Sequence, residues 1–179
     1  MLGLKKGAFH TDYGRGVPRT EPTNLAFFDS APALFIDEWD INVSAEQFWP
    51  DLVDNPLHWC RMLKIRWTSP RPFGVGTTRH VGVFGVLQAD EHFFLWEEGV
   101  RFAFHFTQAN IPLYRRLGEY YELTPTGPNS CRFTWKIAAE PTLLGKTGGV
   151  VTSALCKSLF HDTTKYVRTL GPEGTRSKV

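Results

Sequence analysis

The strongest constraint on the fold of this 179-residue chain is a series of strand-like segments that follow one another from residue 64 to residue 141. Each segment is rich in β-branched and aromatic residues and is bounded by turn-forming residues. The connections are too short to hold a crossover helix, so consecutive strands are expected to pair antiparallel, as a meander. The six segments are residues 64–69, 76–88, 92–97, 100–108, 119–125 and 131–141.

The region before this series predicts one more strand and two short helices. Residues 34–43 alternate between an apolar and a wetter face, which is the pattern of a strand. Ser44 and Gln47 have the spacing of a capping box, in which each side chain accepts a hydrogen bond from the other residue's backbone N–H. Pro50 limits the helix that begins there. Residues 57–63 predict a second helix, because cap residues and a proline precede them.

Residues 149–170 predict one long helix at the end of the chain. At about 100° per residue its apolar side chains fall on one wide face, and Gly171-Pro172 is a stop signal. A face of this width needs a broad partner, which a curved sheet would provide. The residues of this face are Val151, Leu155, Leu159, Thr163, Tyr166, Val167 and Leu170.

The charge distribution and the cysteines limit the possible function classes. The net charge is +2, and the positive excess lies in the two ends of the chain, whereas residues 21–170 carry a net charge of −2. A near-neutral body argues against a nucleic-acid groove, which needs clustered Lys and Arg. No apolar run is long enough for stable membrane insertion, and the N-terminus lacks the apolar stretch of a signal peptide. Cys60, Cys131 and Cys156 are widely spaced, which favours free thiols and a cytoplasmic location.

The expected organisation is an extended N-terminal arm (1–31), one domain (32–171) and a C-terminal tail (172–179). Residues 140–147 end in Gly-Lys-Thr but lack the first glycine of a phosphate-binding loop, so no nucleotide is expected. The six histidines have no metal-pair spacing, and no nucleophile motif is present. We therefore predict no cofactor and no metal, and we assign no catalytic residue.

The order strand, two short helices, six strands and a long helix resembles the START-like or helix-grip superfamily, also called the polyketide cyclase/dehydrase and lipid-transport family. The resemblance covers about residues 33–170, and Pro50 departs from the usual pattern of the first helix. The resemblance rests on a set of short motifs in this order. They are the Ser44–Gln47 cap with Phe48-Trp49, then Asp54 and Trp59, Val75-Gly76-Thr77, Phe133-Thr134-Trp135 and the terminal helix.

The resemblance implies an α+β helix-grip fold, a curved antiparallel sheet of about seven strands wrapped around the C-terminal helix. It also implies a cavity between the sheet and that helix. The mouth of the cavity would lie at the end of the sheet where loops 109–116 and 143–149 could act as lids. The interior side chains could instead fill a solid core, because protein interiors are normally densely packed.

The aromatic stretch of residues 93–106 would form a hairpin if Glu98-Gly99 is a two-residue turn. Trp96 and Arg101 would then stack on the convex face, where the N-terminal arm, through Phe9, Tyr13, Phe27 and Phe28, could cover Trp96 and Phe94. The Glu97–Glu98 pair is interpreted as a solvated turn. The convex face would carry Phe94, Trp96, Arg101, Ala103 and His105, and the concave face Phe93, Leu95, Phe102, Phe104 and Phe106.

Arg79 is the most informative charged candidate. It shares a strand face with Val81 and Val83, so its guanidinium either reaches the cavity, where it could bind a carboxylate, enol or phenolate, or lies solvated at the rim. Asp162 could be its partner. The predicted ligand-binding residues are Arg79, Val81, Val83, Phe93, Leu95, Phe102, Phe104, Phe106, Tyr114, Tyr121, Phe133, Trp135, Leu155, Leu159 and Tyr166.

Three functions remain compatible with the sequence. The first is a carrier or sensor that binds a small hydrophobic ligand, such as a lipid or polyketide. The second is a polyketide cyclase/aromatase-type enzyme that uses the same cavity for shape and one acid or base. The third is a protein-interaction module with a filled core. The number of ionisable groups inside the cavity would separate the first two.

Overall fold

The computed structural model describes residues 17–144 and 149–170. Seven strands form one antiparallel sheet in the order β1-β7-β6-β5-β4-β3-β2. The elements are α1 (Phe27–Ser30), β1 (Ala33–Ile41), α2 (Ala45–Val53), β2 (Leu63–Trp67), β3 (Thr78–Val83), β4 (Leu87–Glu97), β5 (Arg101–Ala109), β6 (Tyr114–Gly127), β7 (Ser130–Pro141) and α3 (Gly149–Val167). The α+β helix-grip prediction is confirmed. In the two described ranges, no helix combines the length and the apolar character needed to cross a bilayer.

Hydrogen bonds from two tryptophan side chains, Trp39 (buried) and Trp59 (half-buried), fasten α3 to the rest of the fold. The indole N–H of Trp39 on β1 donates to Thr164 Oγ1 at 2.8 Å, and that of Trp59 donates to Thr163 Oγ1 at 3.0 Å. Buried indole and phenol groups need such partners, because an unpaired polar atom away from water is costly. These contacts fix the C-terminal half of α3 against β1 and the segment that follows α2.

The capping box at the start of α2 is confirmed, but the second predicted helix is wrong. Ser44 N donates to Gln47 Oε1 at 3.1 Å, and Gln47 N donates to Ser44 Oγ at 3.3 Å. Instead of a helix over 57–63, the chain makes consecutive turns. Leu57 has a φ of 51°, a left-handed conformation through which a right-handed helix cannot pass.

Residues 76–88 form a hairpin rather than one bent strand. Phe84 and Gly85 turn the chain with φ values of 53° and 70°, and β3 ends at Val83 while β4 begins at Leu87. The sequence does not indicate a turn at this position, because phenylalanine seldom adopts a positive φ. The longer β4 has a consequence for the interior, since its register places Glu91 directly opposite Arg79.

A register shift in the β4–β5 hairpin changes the predicted faces. Phe93 pairs with Phe104 as expected, but beyond the shift Leu95 pairs with Ala103 and Trp96 with Phe102. The extra residue turns Leu95 to the outer face and Trp96 to the inner face. The predicted Trp96–Arg101 stack is therefore wrong. The Trp96 indole N–H donates to Glu98 Oε2 at 2.7 Å instead, and Arg101 Nη2 donates to Glu97 Oε1 at 2.6 Å.

The described part of the N-terminal arm lies against the outer face of the sheet. Phe27 and Phe28 are buried there with Tyr120, and Phe94 and Leu95 pack against the same cluster. Phe94 packs against the cluster that contains Phe27 and Phe28. Trp96 lies on the other side of the sheet, so the prediction that the arm covers Trp96 is wrong. Phe9 and Tyr13 are outside the described residues.

Residues 18–21 of the arm lie between the ends of two strands. The β5–β6 pairing ends at His105↔Gly118. Beyond it, Thr20 N donates to Thr107 O at 3.1 Å on β5, and Glu21 N donates to Arg115 O at 2.8 Å on β6. The arm thus supplies backbone hydrogen bonds where the sheet's own ladder is interrupted.

Candidate functional site: a half-hollow interior

One end of the interior is filled with aromatic rings, which we call the aromatic core. Its rings contact one another at close centroid distances, for example 4.9 Å between Phe93 and Phe104 and 5.5 Å between Phe48 and Phe133. The members are fully or largely buried and belong to one packed cluster. They are Phe48, Trp49, Phe93, Trp96, Phe102, Phe104 and Phe133.

The other end contains a cavity between the sheet and α3. The volume of the cavity is about 70 Å³, and about 650 Å³ when the space at its open mouth is included. Most of the wall is aliphatic. The lining residues are Leu57, Leu63, Ile65, Arg79, Val81, Val83, Leu87, Glu91, Phe106, Tyr114, Leu117, Glu119, Tyr121, Trp135, Ile137, Thr152, Leu155, Cys156 and Leu159.

The cavity continues outward into an apolar groove beside the β3–β4 turn. The groove shares Val83, Leu87 and Leu155 with the cavity wall and adds the exposed side chains of Phe84 and Val86. The loop between β5 and β6 contributes Leu113, and α3 contributes Ala154 and Ser158. Of the second predicted lid, residues 145–148 are outside the described residues.

An ion pair is buried between the cavity and the aromatic core. Arg79 and Glu91 are each only 2% exposed, and Arg79 Nε donates to Glu91 Oε2. The guanidinium also lies over the rings of Phe104 and Phe93, at 4.4 Å and 5.1 Å from their centroids. Burial raises the pKa of Glu91, and the charge of Arg79 opposes that rise. Of the two alternatives for Arg79, the solvated one is wrong, and its partner is Glu91 rather than Asp162.

Glu119 on β6 is the second acid of the cavity. Its Oε2 accepts hydrogen bonds from Tyr121 Oη at 2.7 Å and from Trp135 Nε1 at 2.9 Å. The side chain is half-buried and lines the cavity. The pKa of Glu119 is raised to about 7, mainly by burial and also by the nearby charge of Glu91, whereas Tyr121 and Arg79 oppose the rise. Burial and Glu119 keep the Tyr121 pKa well above its usual value, so this phenol is a neutral donor.

The remaining polar groups are unreactive or paired. Burial raises the pKa values of Cys60 and Cys156 to about 12, so neither thiol is a nucleophile at neutral pH. The hydroxyls of Tyr114 and Thr152 hydrogen-bond each other at 2.6 Å near the mouth. Within residues 17–144 and 149–170, no three His, Cys, Asp or Glu side chains are grouped as metal ligands.

The predicted ligand-binding residues separate into distinct environments. Those that line the cavity are Arg79, Val81, Val83, Phe106, Tyr114, Tyr121, Trp135, Leu155 and Leu159. Four others, Phe93, Phe102, Phe104 and Phe133, belong to the aromatic core. Leu95 lies on the outer face because of the register shift. Tyr166 stacks on Trp59 at 4.3 Å and donates to Asp51 Oδ2 at 2.7 Å, outside the cavity wall.

Several lining residues are absent from the ligand-binding set that the sequence predicts. A signal for some of them existed, since Leu117 and Glu119 alternate with Tyr121 and must share its face. Glu91 could be found only with the β3–β4 turn in place. The missed set is Leu57, Leu63, Ile65, Leu87, Glu91, Leu117, Glu119, Ile137, Thr152 and Cys156.

Comparison with known sequences finds relatives in mycobacteria. The uncharacterized proteins Mb2604 of Mycobacterium bovis and Rv2574 of Mycobacterium tuberculosis are each 38% identical over 124 residues, which cover 67% of this chain and 73% of theirs. No family model matches the sequence.

Comparison with solved structures gives the same fold at low identity. A START superfamily protein from Mycobacterium smegmatis superposes with a TM-score of 0.55 at 14% identity, covering 74% of this chain and 97% of its own. Truncated norcoclaurine synthase from Thalictrum flavum gives 0.52 at 17% identity, covering 75% and 92%. At these identities the likeness concerns the fold alone.

Proposed function

Since this chain belongs to the same family as the mycobacterial proteins Mb2604 and Rv2574 and has the START-like helix-grip fold, we propose that it binds a small hydrophobic ligand in the cavity. A lipid or a polyketide is the expected type of molecule, and the role is that of a carrier or sensor. The three buried free thiols support action in a reducing compartment such as the cytoplasm.

The composition of the cavity wall carries this proposal. Ten of the nineteen lining residues are Leu, Ile or Val, whose side chains cannot hydrogen-bond water. Dense packing is the rule in protein interiors, so unfilled apolar space beside a tightly packed aromatic core is the kind of space that ligand-binding proteins keep. An apolar molecule that enters it removes both its own surface and the wall from water.

A fluorescence titration with Nile red, a neutral apolar dye, tests the proposal. We expect saturable binding to the wild-type protein. Leu117→Trp enlarges a side chain of the cavity wall and should weaken binding about ten-fold or more, since loss of about 1.4 kcal/mol already corresponds to ten-fold. Leu34→Trp is the matched control, because Leu34 is 42% exposed on β1 and remote from the lining. Equal dye affinity in both variants and wild type would refute the cavity as the binding site.

Catalysis in the same cavity is a second candidate, favoured by one observation. A carboxyl with a pKa of about 7 inside an apolar pocket is suited to act as a general acid or base at neutral pH. This supports an enzyme of the cyclase/aromatase type, with Glu119 as the acid or base. The third alternative, an interaction module with a filled core, requires a solid interior, and the cavity between the sheet and α3 argues against it.

Kemp elimination of 5-nitrobenzisoxazole tests Glu119 as a base without knowledge of the natural substrate, because this apolar probe needs only one proton removed. The wild-type protein should accelerate it, with a rate that rises with pH around an apparent pKa near 7. Glu119→Gln should abolish the acceleration. Equal rates in wild type and variant would exclude Glu119 as a base that reaches the cavity.

A further inference from the structure

Among the described residues that line the cavity, there is one more acid than base. Arg79, Glu91 and Glu119 are its charged lining residues, and Arg79 is paired with Glu91. Glu119 is left with neutral donors only, the Tyr121 hydroxyl and the Trp135 indole, and both bind its Oε2. No hydrogen bond to Glu119 Oε1 occurs within the described part of the chain, and this oxygen is not among the solvent-inaccessible unpaired atoms.

Within residues 17–144 and 149–170, the surroundings of Glu119 offer no second cation. The titratable groups that act on it or feel its charge are Arg79, Glu91, Tyr121, Cys60 and Cys156, on β3, β4, β6, the turns after α2, and α3. Arg79 is the only cation among them, and it lies between Glu91 and the aromatic rings. A carboxylate in such a place either takes up a proton or pairs with a cation that comes from outside.

We propose that the hydrophobic ligand of this cavity bears a protonated amine, whose nitrogen pairs with the free oxygen of Glu119. This inference rests on the proposed function, because it specifies the ligand class of the same cavity. The apolar part of the ligand lies against the aliphatic wall and extends toward the groove at Phe84 and Val86. An anionic ligand of the same length brings a further negative charge beside Glu91 and Glu119 and is disfavoured.

Three probes of equal chain length separate the contribution of the ligand's charge to the binding affinity from that of its apolar chain. Decylamine, decanol and decanoic acid compete with Nile red for the wild-type protein at pH 8, where an alkylamine is protonated and a carboxylic acid ionised. We expect decylamine to bind about ten-fold more tightly than decanol, the effect of one charge-assisted hydrogen bond, and decanoic acid to bind most weakly.

Two glutamate variants identify the residue responsible. Glu119→Gln should lower the decylamine affinity to about that of decanol while decanol binding changes less than about two-fold. Glu122→Gln is the matched control, because Glu122 is on the same strand but on the face opposite to Leu117, Glu119 and Tyr121. This variant should leave the affinities for all three probes unchanged.

The outcomes distinguish failure of this inference from failure of the proposed function. Binding of decanol without any preference for decylamine, or an amine preference that survives Glu119→Gln, overturns the inference and leaves the hydrophobic site intact. No binding of Nile red or of any probe overturns both. If Glu119→Gln does not fold, the wild-type protein alone provides the test. Its affinity for decylamine relative to decanol should increase from pH 6 to pH 8, because Glu119 loses its proton over this range. A constant affinity ratio would contradict the inference.

Discussion

The two ends of the interior are built on the same strands, yet one is filled and the other is hollow. Strand β6 crosses both. Near one end it presents Leu123, only 1% exposed and packed in the main core, and near the other Leu117 and Glu119, which line the cavity. The difference follows side-chain size, because stacked rings fill the space that Leu, Val and Ile leave open.

The filled end explains why the hollow end does not collapse. Trp39 and Trp59 hold α3 through Thr164 and Thr163, and the ring of Phe160 on α3 lies 5.4 Å from that of Trp135. These rigid contacts fix the distance of the helix from the sheet. The aliphatic wall therefore cannot close by moving α3 inward without breaking them, and cavities persist where relaxation is prevented.

The largest effect is expected at the boundary between the two ends. Arg79→Leu leaves Glu91 buried without a partner, which should lower the free energy of unfolding by about 3–5 kcal/mol. The double variant Arg79→Leu/Glu91→Leu should recover most of that loss, since it buries no charge. Urea denaturation measures both. A single variant as stable as wild type would mean that the pair is not buried in solution.

A matched pair of leucine truncations on β6 compares the ends directly. Leu123→Ala removes methyl groups from a packed site and should cost about 3–4 kcal/mol, whereas Leu117→Ala, beside space that is already open, should cost about 2 kcal/mol or less. Chemical denaturation of the two variants gives the difference. Equal costs would contradict the contrast between a filled and a hollow end.

The hollow end should also produce a pH dependence that Glu119→Gln removes. The folded-state pKa of Glu119 is raised from its ordinary 4.5 to about 7, so the folded protein holds a proton that the unfolded chain releases. The stability contributed by the protonated carboxyl is complete below about pH 4.5 and is lost as the pH rises to about 7, up to about 3 kcal/mol.

Urea denaturation of wild type and Glu119→Gln from pH 5 to pH 8 checks the sign. The stability of the variant relative to wild type should increase up to about pH 7 and stay level above it. The contributions of the other titrating groups to the free energy of unfolding are common to both proteins and cancel when the two are subtracted. A pH-independent difference would place Glu119 in water rather than at a cavity wall.

The smallest effect concerns the arm beside the cavity. Thr20→Pro removes the backbone donor to Thr107 O, which should cost about 1 kcal/mol. Leu117 and Phe106, which line the cavity, also border the site where the arm contacts the sheet at Pro18 and Thr20. Stopped-flow release of Nile red should therefore be faster in the variant, beyond the loss of about 1 kcal/mol in stability. An unchanged release rate would show that the arm does not close this side of the cavity.

Much of the architecture can be predicted from the sequence, because the patterns that indicate it involve residues close together in the chain. Strand alternation, the Ser44–Gln47 cap and the long apolar face of α3 each depend on neighbouring residues. The missing second helix and the β3–β4 turn were not readable, since Leu57 and Phe84 adopt left-handed conformations that their residue types seldom show.

The candidate site was only partly readable, because it depends on register and on long-range pairing. One extra residue in β4 exchanged the faces of Leu95 and Trp96. The aromatic residues indicated an interior but not which end of it was hollow. Arg79 was identified, whereas its neutralisation by Glu91 and the second acid at Glu119 required strands β3, β4 and β6 to be assembled.

Crystals of the ligand-free protein under xenon pressure test the contrast between the two ends most directly, because xenon binds in apolar voids and is excluded from packed cores. The account predicts a xenon site in contact with Val81, Leu117 and Leu155, and none among Phe93, Phe102 and Phe104. Xenon among these three rings, or none near Leu117, would contradict it.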